Sequence, residues 1–224
     1  MNKNLLTGAL LGVLILPFVH AAENATPMKA TDSFWEVIST RRSVRKFKPD
    51  AVPEKDLVKM VDAARMAPNA GNEQAWKFVI VQDKKVIEKL KDGCVEKVTL
   101  RIKEHTGLSG DSLKKEVQKQ VDQWITDRLG APAYIAVLAD RERKWPSYNR
   151  HDGPLAAGYL LLAARALGYG TCYFTDSISE DVVRKALNVP DRYEVVCITP
   201  VGIPAESPEK EKKPLEEFIV RDTF

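Results

Sequence analysis

Apolar positions recur along this chain in two periods, and together they lay out helices and strands in alternation. The run 76–82 (WKFVIVQ) reads as a strand. The run 133–139 (AYIAVLA) is apolar without interruption, the mark of a strand covered on both faces. Residues 171–174 and 194–201 read as two further strands. Helical spacing separates them. Ser33-Phe34-Trp35-Glu36 fits a capping box that opens a short helix. Pro53 stands at the favoured first position of the next, whose Leu57, Met60, Val61 and Ala64 share one face. Asp111 is placed to cap a long amphipathic helix through Leu129, with Leu113, Val117, Val121, Trp124 and Ile125 apolar. Residues 155–167 are apolar on nearly every side and stop at Gly168, which predicts a helix at the centre of the core. Ser179 caps a helix before the last strand.

Few strands and long helices describe an α+β sandwich. The expected form is a central mixed or antiparallel sheet, flanking helices, one buried central helix, and much of the core at a subunit interface. A doubly wound dinucleotide fold fits less well. No G-x-G-x-x-G follows a strand and no G-x-x-x-x-G-K-[ST] occurs. Gly168-Tyr169-Gly170 comes after a helix and before a strand, the reverse of the nucleotide fingerprint.

The N-terminus changes the picture by adding a destination. Lys3 is a positive n-region, residues 5–16 are apolar, Pro17 breaks the run, and Val19-His20-Ala21 suits cleavage after Ala21. The apolar stretch is short for a membrane span. The expected organisation is a signal peptide over 1–21, a polar tether over 22–31 and one domain over 32–224. An uncleaved anchor is the alternative. With cleavage there is no stable membrane anchor, and the periplasm is the expected destination. No Gly/Ser linker or repeat divides the domain.

Composition adds exclusions. The 224 residues are 44% hydrophobic and 29% charged, ordinary for a globular protein. Net charge is +3, too balanced to imply a nucleic-acid partner. The three cysteines cannot all pair internally, and Cys172 and Cys197 sit in apolar runs, so they are expected as buried free thiols. No Cys/His spacing suggests a metal.

Four segments carry candidate chemistry. Thr40-Arg41-Arg42-Ser43-Val44-Arg45-Lys46 offers forked donors and a hydroxyl suited to a phosphate monoester, or equally a solvated basic turn. Ala67-Pro68-Asn69-Ala70-Gly71-Asn72-Glu73-Gln74-Ala75-Trp76 is an amide-rich loop that suits a mixed donor–acceptor edge, or a helix stop with local Asn–backbone bonds. The stretch 163–172 is small and glycine-rich, as a planar ligand or a plain helix stop would require. Lys212-Lys213-Pro214 opens a charged tail.

In this order and spacing, RRSVRKF, APNAGNEQAW, LGYGTC and VGIPAESPEKEKKPLEEF resemble the nitroreductase family of FMN flavoproteins over residues 34–220. The resemblance implies a homodimer with FMN at its interface. It implies that Arg41, Arg42 and Ser43 hold the phosphate and ribityl chain, and that Arg45 lies near N1 and O2 of the ring. It implies that Pro68, Asn69, Ala70 and Asn72 come from the partner subunit. It also implies that the backbone at Thr175 and Asp176 faces N5 and O4, and that Lys210 and Lys212 complete the phosphate site. Neither Cys172 nor His151 is a catalytic candidate on this reading. Two-electron ping-pong transfer follows, from NAD(P)H to nitroaromatic, quinone or related small molecules. Relatives of the family that dehalogenate or destroy flavin give one alternative. An exported electron carrier fed by a redox partner protein gives another. Asn69 stands where Ser is common, Ala75 where Pro is common, and Thr175-Asp176 where a glycine-containing pair is frequent. Residues 93–130 match no part of the pattern.

Overall fold

The computed structural model describes residues 29–125, 129–175 and 177–224. The predicted signal peptide, most of the tether and Asp176 lie outside the described residues. Four strands form one antiparallel sheet in the order β1-β2-β4-β3: β1 Trp76–Val81, β2 Ala133–Asp140, β3 Gly170–Thr171 and β4 Tyr193–Gly202. Six α-helices are described: α1 Phe34–Thr40, α2 Glu54–Ala64, α3 Lys84–Thr106, α4 Gly110–Gln120, α5 Asn149–Ala166 and α6 Glu180–Leu187. The α+β sandwich expected from the sequence is the fold observed. Among the described residues no helix is long and apolar enough to cross a membrane.

The uninterrupted apolar run of β2 has a simple cause. Successive side chains of a strand point to opposite faces, and here both faces are covered. Tyr134, Ala136 and Leu138 pack with Ile87, Leu90 and Cys94 of α3 and Val182 and Val183 of α6. Ala133, Ile135 and Val137 pack with Leu57 and Met60 of α2 and Leu160 and Ala164 of α5. The sheet is therefore the middle of three layers. Helix α5 approaches β4 closely because Gly153 has no side chain: a Cβ there would stand 2.5 Å from Cγ2 of Val196.

Several local expectations shift. Helix α1 has Ser33 as N-cap but no capping side-chain bond. Glu36 instead accepts from the Thr31 hydroxyl at 2.9 Å and faces Arg165, so no capping box forms. Pro53 precedes α2 as its N-cap rather than filling its first turn. The single helix expected from Asp111 to Leu129 ends at Gln120, starts after Ser109 rather than Asp111, and passes into a π-helical turn at Val121–Ile125. Helix α5 begins at Asn149, one and a half turns before the expected 155, with Pro154 near its start. Helix α3, the longest described, had no predicted counterpart. Its buried side, Ile87, Leu90, Cys94, Val98 and Ile102, follows helical spacing. All three cysteines are buried and free.

One ion pair ties the end of β2 to the entrance of β4. Both oxygens of Asp140 accept from Nε of Arg192 at 2.9 Å, and Nη2 adds a bond of 2.5 Å. The Arg192 guanidinium holds the Asp140 carboxyl below its ordinary range. A carboxyl whose folded pKa is depressed stabilises the fold above its unfolded pKa, and loses that contribution as pH falls through the folded one. Urea midpoints at pH 7 and pH 3 should therefore differ more for the wild type than for Asp140→Asn.

Candidate functional site

The basic segment predicted from the sequence is a strand-like strip laid on the sheet. Helix α1 ends at Thr40, and Arg41 turns the chain extended while its N–H still closes the helix on the Val37 carbonyl. The Val44 N–H then donates to the Thr171 carbonyl at 2.9 Å, and Lys48 N–H to Ile203 at 2.8 Å. Ser43 bridges Thr171, and Phe47 bridges Pro204. Gly170 makes this seat possible, since a Cβ there would lie 2.8 Å from Cβ of Val44 and 3.0 Å from Cγ of Pro204.

The side chains divide by direction. Arg42 folds back, its Nη1 donating to the carbonyls of Ser39 at 2.6 Å and Arg41 at 3.0 Å. Arg45 is exposed and touches the Ser43 carbonyl at 3.1 Å. The Arg41 guanidinium and the Ser43 hydroxyl have no hydrogen-bond partner among the described residues. Glu206, which the sequence reading missed, accepts the backbone N–H groups of Arg45 at 2.6 Å and Lys46 at 3.1 Å. A second unanticipated residue lies behind. Arg165 of α5, 4% exposed, donates to the Thr40 hydroxyl and the Lys29 carbonyl, both at 2.8 Å, so a guanidinium anchors the helix end that carries Arg41.

The amide loop lies elsewhere. Asn69 accepts the Gln74 N–H at 2.9 Å, a local backbone bond of the kind the sequence left open. Gly71, Asn72 and Gln74 all have positive φ, at 60°, 53° and 51°. Only glycine adopts that region without cost. Pro68 and Asn72 are exposed, Asn69 and Ala70 half-buried. The loop is tied to the first turn of α5, where the Ala70 N–H donates to Oδ2 of Asp152 at 3.2 Å. Arg143, also unanticipated, has a side chain 3% exposed and bonds Glu73, Asn149, Asp152 and the Ala70 carbonyl.

These two halves sit at opposite ends of α5. Asp152 and Arg165 are thirteen residues apart, which is about 20 Å along a helix. Within one chain the structure does not bring Arg41–Arg45 and Pro68–Asn72 together. It does bring the basic segment to Thr171, and Thr175 follows exposed, one residue past Phe174, whose carbonyl binds the Ile198 N–H. Lys210 and Lys212 lie on exposed chain beyond Glu206. A groove of about 580 Å³ between α3 and α6, and one of about 490 Å³ beside Glu73, Asp140 and Arg192, both lie away from the basic segment.

A three-layer α+β chain that presents a basic strip bound along its sheet, with an amide loop held apart from it, is the class this geometry defines. A family model described as the nitroreductase family matches residues 38–203, and the chain belongs to that family. It is 31% identical over 200 residues to the iodotyrosine deiodinase of Thermotoga neapolitana, covering 85% of this chain and 98% of that protein. Among solved structures it is similar to oxidised iodotyrosine deiodinase bound to FMN and 3-iodo-L-tyrosine. There the TM-score is 0.65 and the identity 26%, over 85% of this chain and 99% of the other. A BluB-like flavoprotein from Clostridium difficile gives a TM-score of 0.65 at 26% identity, over 84% of this chain and 98% of that one.

Substituting Gly170 tests the seat of the basic strip. Gly170→Ala should cost about 1–3 kcal/mol, the usual penalty for forcing a methyl into a filled contact, read from urea denaturation.

Proposed function

We propose that this protein is an exported FMN-dependent oxidoreductase, with each cofactor site built from two copies of the chain. The observation that carries the shared site is the separation of its halves. The basic strip and the amide loop are fastened to opposite ends of one helix, so neither can serve the other's ligand within a chain. A two-fold dimer with antiparallel α5 helices unites them, because a self-complementary interface sets each end against the opposite end of its mate. Exposed apolar side chains support this: Phe34 and Trp35 of α1 are 62% and 76% exposed, and Leu155 and Tyr159 of α5 are 45% and 41% exposed. Export rests on the pattern of Lys3, the apolar run 5–16 and Ala21.

The residues fit the cofactor in chemistry. The Arg41 guanidinium and Ser43 hydroxyl, without hydrogen-bond partners among the described residues, suit a phosphate, and Arg42 needs only to leave two carbonyls to join them. Arg45 is free to place positive charge beside the pyrimidine edge of a reduced flavin, which favours electron uptake. Pro68, Asn69, Ala70 and Asn72 of the second copy line the ring. The backbone at Thr175 and the tail residues Lys210 and Lys212 complete the site, and Asp176, expected beside them, lies outside the described residues. When bound, FMN supplies two-electron redox chemistry in which a donor such as NAD(P)H leaves before the acceptor enters. The protein holds and polarises, and no side chain acts as a nucleophile.

Nitroaromatics and quinones suit such a pocket. Halogenated phenols are a second class of acceptor, favoured by the 31% identity to an iodotyrosine deiodinase. Anaerobic turnover of 3-iodotyrosine against a nitroaromatic separates the two. Stopped-flow mixing with NADH and NADPH decides the donor, and slow reduction by both moves the role to a redox partner protein.

The purified mature chain should be yellow, with about one FMN per chain. Arg41→Ala and Ser43→Ala should each weaken FMN binding by about 1.5–3 kcal/mol, the range for charge-assisted bonds. Colourless protein that takes up no added FMN defeats the proposal.

The shared site predicts a complementation pattern. A heterodimer of an Arg41→Ala chain with an Asn72→Ala chain should keep one intact site and bind half the FMN with wild-type affinity. Two sites each impaired by a single substitution, with none of wild-type affinity, would place both halves in one chain.

A further inference from the structure

A buried guanidinium with no assigned part in the chemistry stands directly behind the amide loop. We infer that Arg143 is the positioning residue that fixes this loop in the shape that receives the flavin ring. The inference rests on the FMN reading above.

Arg143 lies in the turn after β2, and its donors reach two separate pieces of chain. Toward the loop, Nε donates to Glu73 Oε2 at 2.6 Å and Nη2 to the Ala70 carbonyl at 3.2 Å. Toward the first turn of α5, Nη1 donates to Asp152 Oδ2 at 2.6 Å and to Asn149 Oδ1 at 3.2 Å. The same Asp152 oxygen accepts the Ala70 N–H at 3.2 Å. Ala70 is therefore held at its N–H by Asp152 and at its carbonyl by Arg143. Glu73 closes the circuit by accepting the Lys144 N–H at 3.0 Å. Next along the chain, Trp145 sits on Gly71, where an added Cβ would come within 2.3 Å of its ring.

Two physical arguments give this cluster a purpose. First, the loop is not a shape the chain takes by itself. Asn72 and Gln74 hold left-handed backbone without being glycine, and such residues persist only where the surroundings over-determine them. Second, burying an ion triad is a poor way to gain stability, since desolvation offsets most of the attraction. Side chains of Arg143, Asp152 and Glu73 are only 3%, 8% and 17% exposed. Apolar packing would stabilise this corner as well. What the triad provides, and packing would not, is a directional hold on the two peptide groups flanking Ala70 in the loop expected to line the ring.

Arg143→Lys is the test variant, because it keeps the buried positive charge opposite Asp152 and so spares the fold. A single ammonium cannot span Ala70, Glu73 and α5 together. In the FMN-free full-length mature protein, amide exchange of residues 70–74 should quicken while that of β2 and α5 stays at wild-type rates. FMN affinity should fall about tenfold, as expected when a binding loop must be ordered at the moment of binding. The visible circular dichroism of the bound flavin should change in sign or intensity. Unchanged exchange at 70–74 overturns the inference. So does faster exchange with wild-type FMN affinity and wild-type flavin dichroism. Wild-type protein that binds no FMN fails the functional proposal instead, and the exchange arm still reports whether Arg143 holds the loop.

Discussion

Helix α5 must keep an arginine paired at each end while its middle is packed against a sheet, and much of the molecule follows from that. Its central residues Ala157, Leu160 and Ala164 are buried against β2 and α2, so water does not reach its ends freely. A guanidinium left unpaired there would cost several kcal/mol. Arg165 solves the problem at the C-terminal end by binding Thr40 and the Lys29 carbonyl. Arg143 solves it at the N-terminal end by binding Asp152, Asn149 and the amide loop. Each solution fastens a loop that the core would not otherwise hold. On the proposed reading the helix is a spacer of fixed length between the two halves of the cofactor site, about 20 Å apart along its axis.

What the sequence disclosed depended on how local the cause was. Strand β2 was legible because both of its faces need apolar side chains. Helix α5 was legible over its apolar length but not at its start, since Gly153-Pro154 looks like a stop. Gly153 is there for contact with Val196, while Pro154, the sixth residue of the helix, leaves the Arg150 carbonyl without its usual i+4 N–H donor. Helix α3 carried the helical spacing of Ile87, Leu90, Cys94, Val98 and Ile102. Gly93 within it makes room for Val182.

The candidate site divides in the same way. Arg41, Ser43 and Arg45 stood out as a motif within five residues. Glu206 could not, because its partner Arg45 lies 161 residues away. Arg143 and Arg165 looked like any surface arginine until the fold buried them. The capping box at Ser33 was a false local signal, with Glu36 drawn off by Thr31 and Arg165. Long-range pairing leaves no periodicity to read, so the residues that hold a site in place are less visible than those that face the ligand.

The three cysteines show what a closed core means for a chain that handles electrons. Burial pushes the Cys94 thiol up to about 11, with Asp181 adding to the shift, and the Cys197 thiol up to about 12. Cys172 is equally enclosed. At neutral pH only about one Cys94 in ten thousand is a thiolate, the form that attacks disulfides and peroxides. Burial therefore makes Cys94 and Cys197 poor nucleophiles, and all three sulfurs are enclosed by the core that the sheet and helices form.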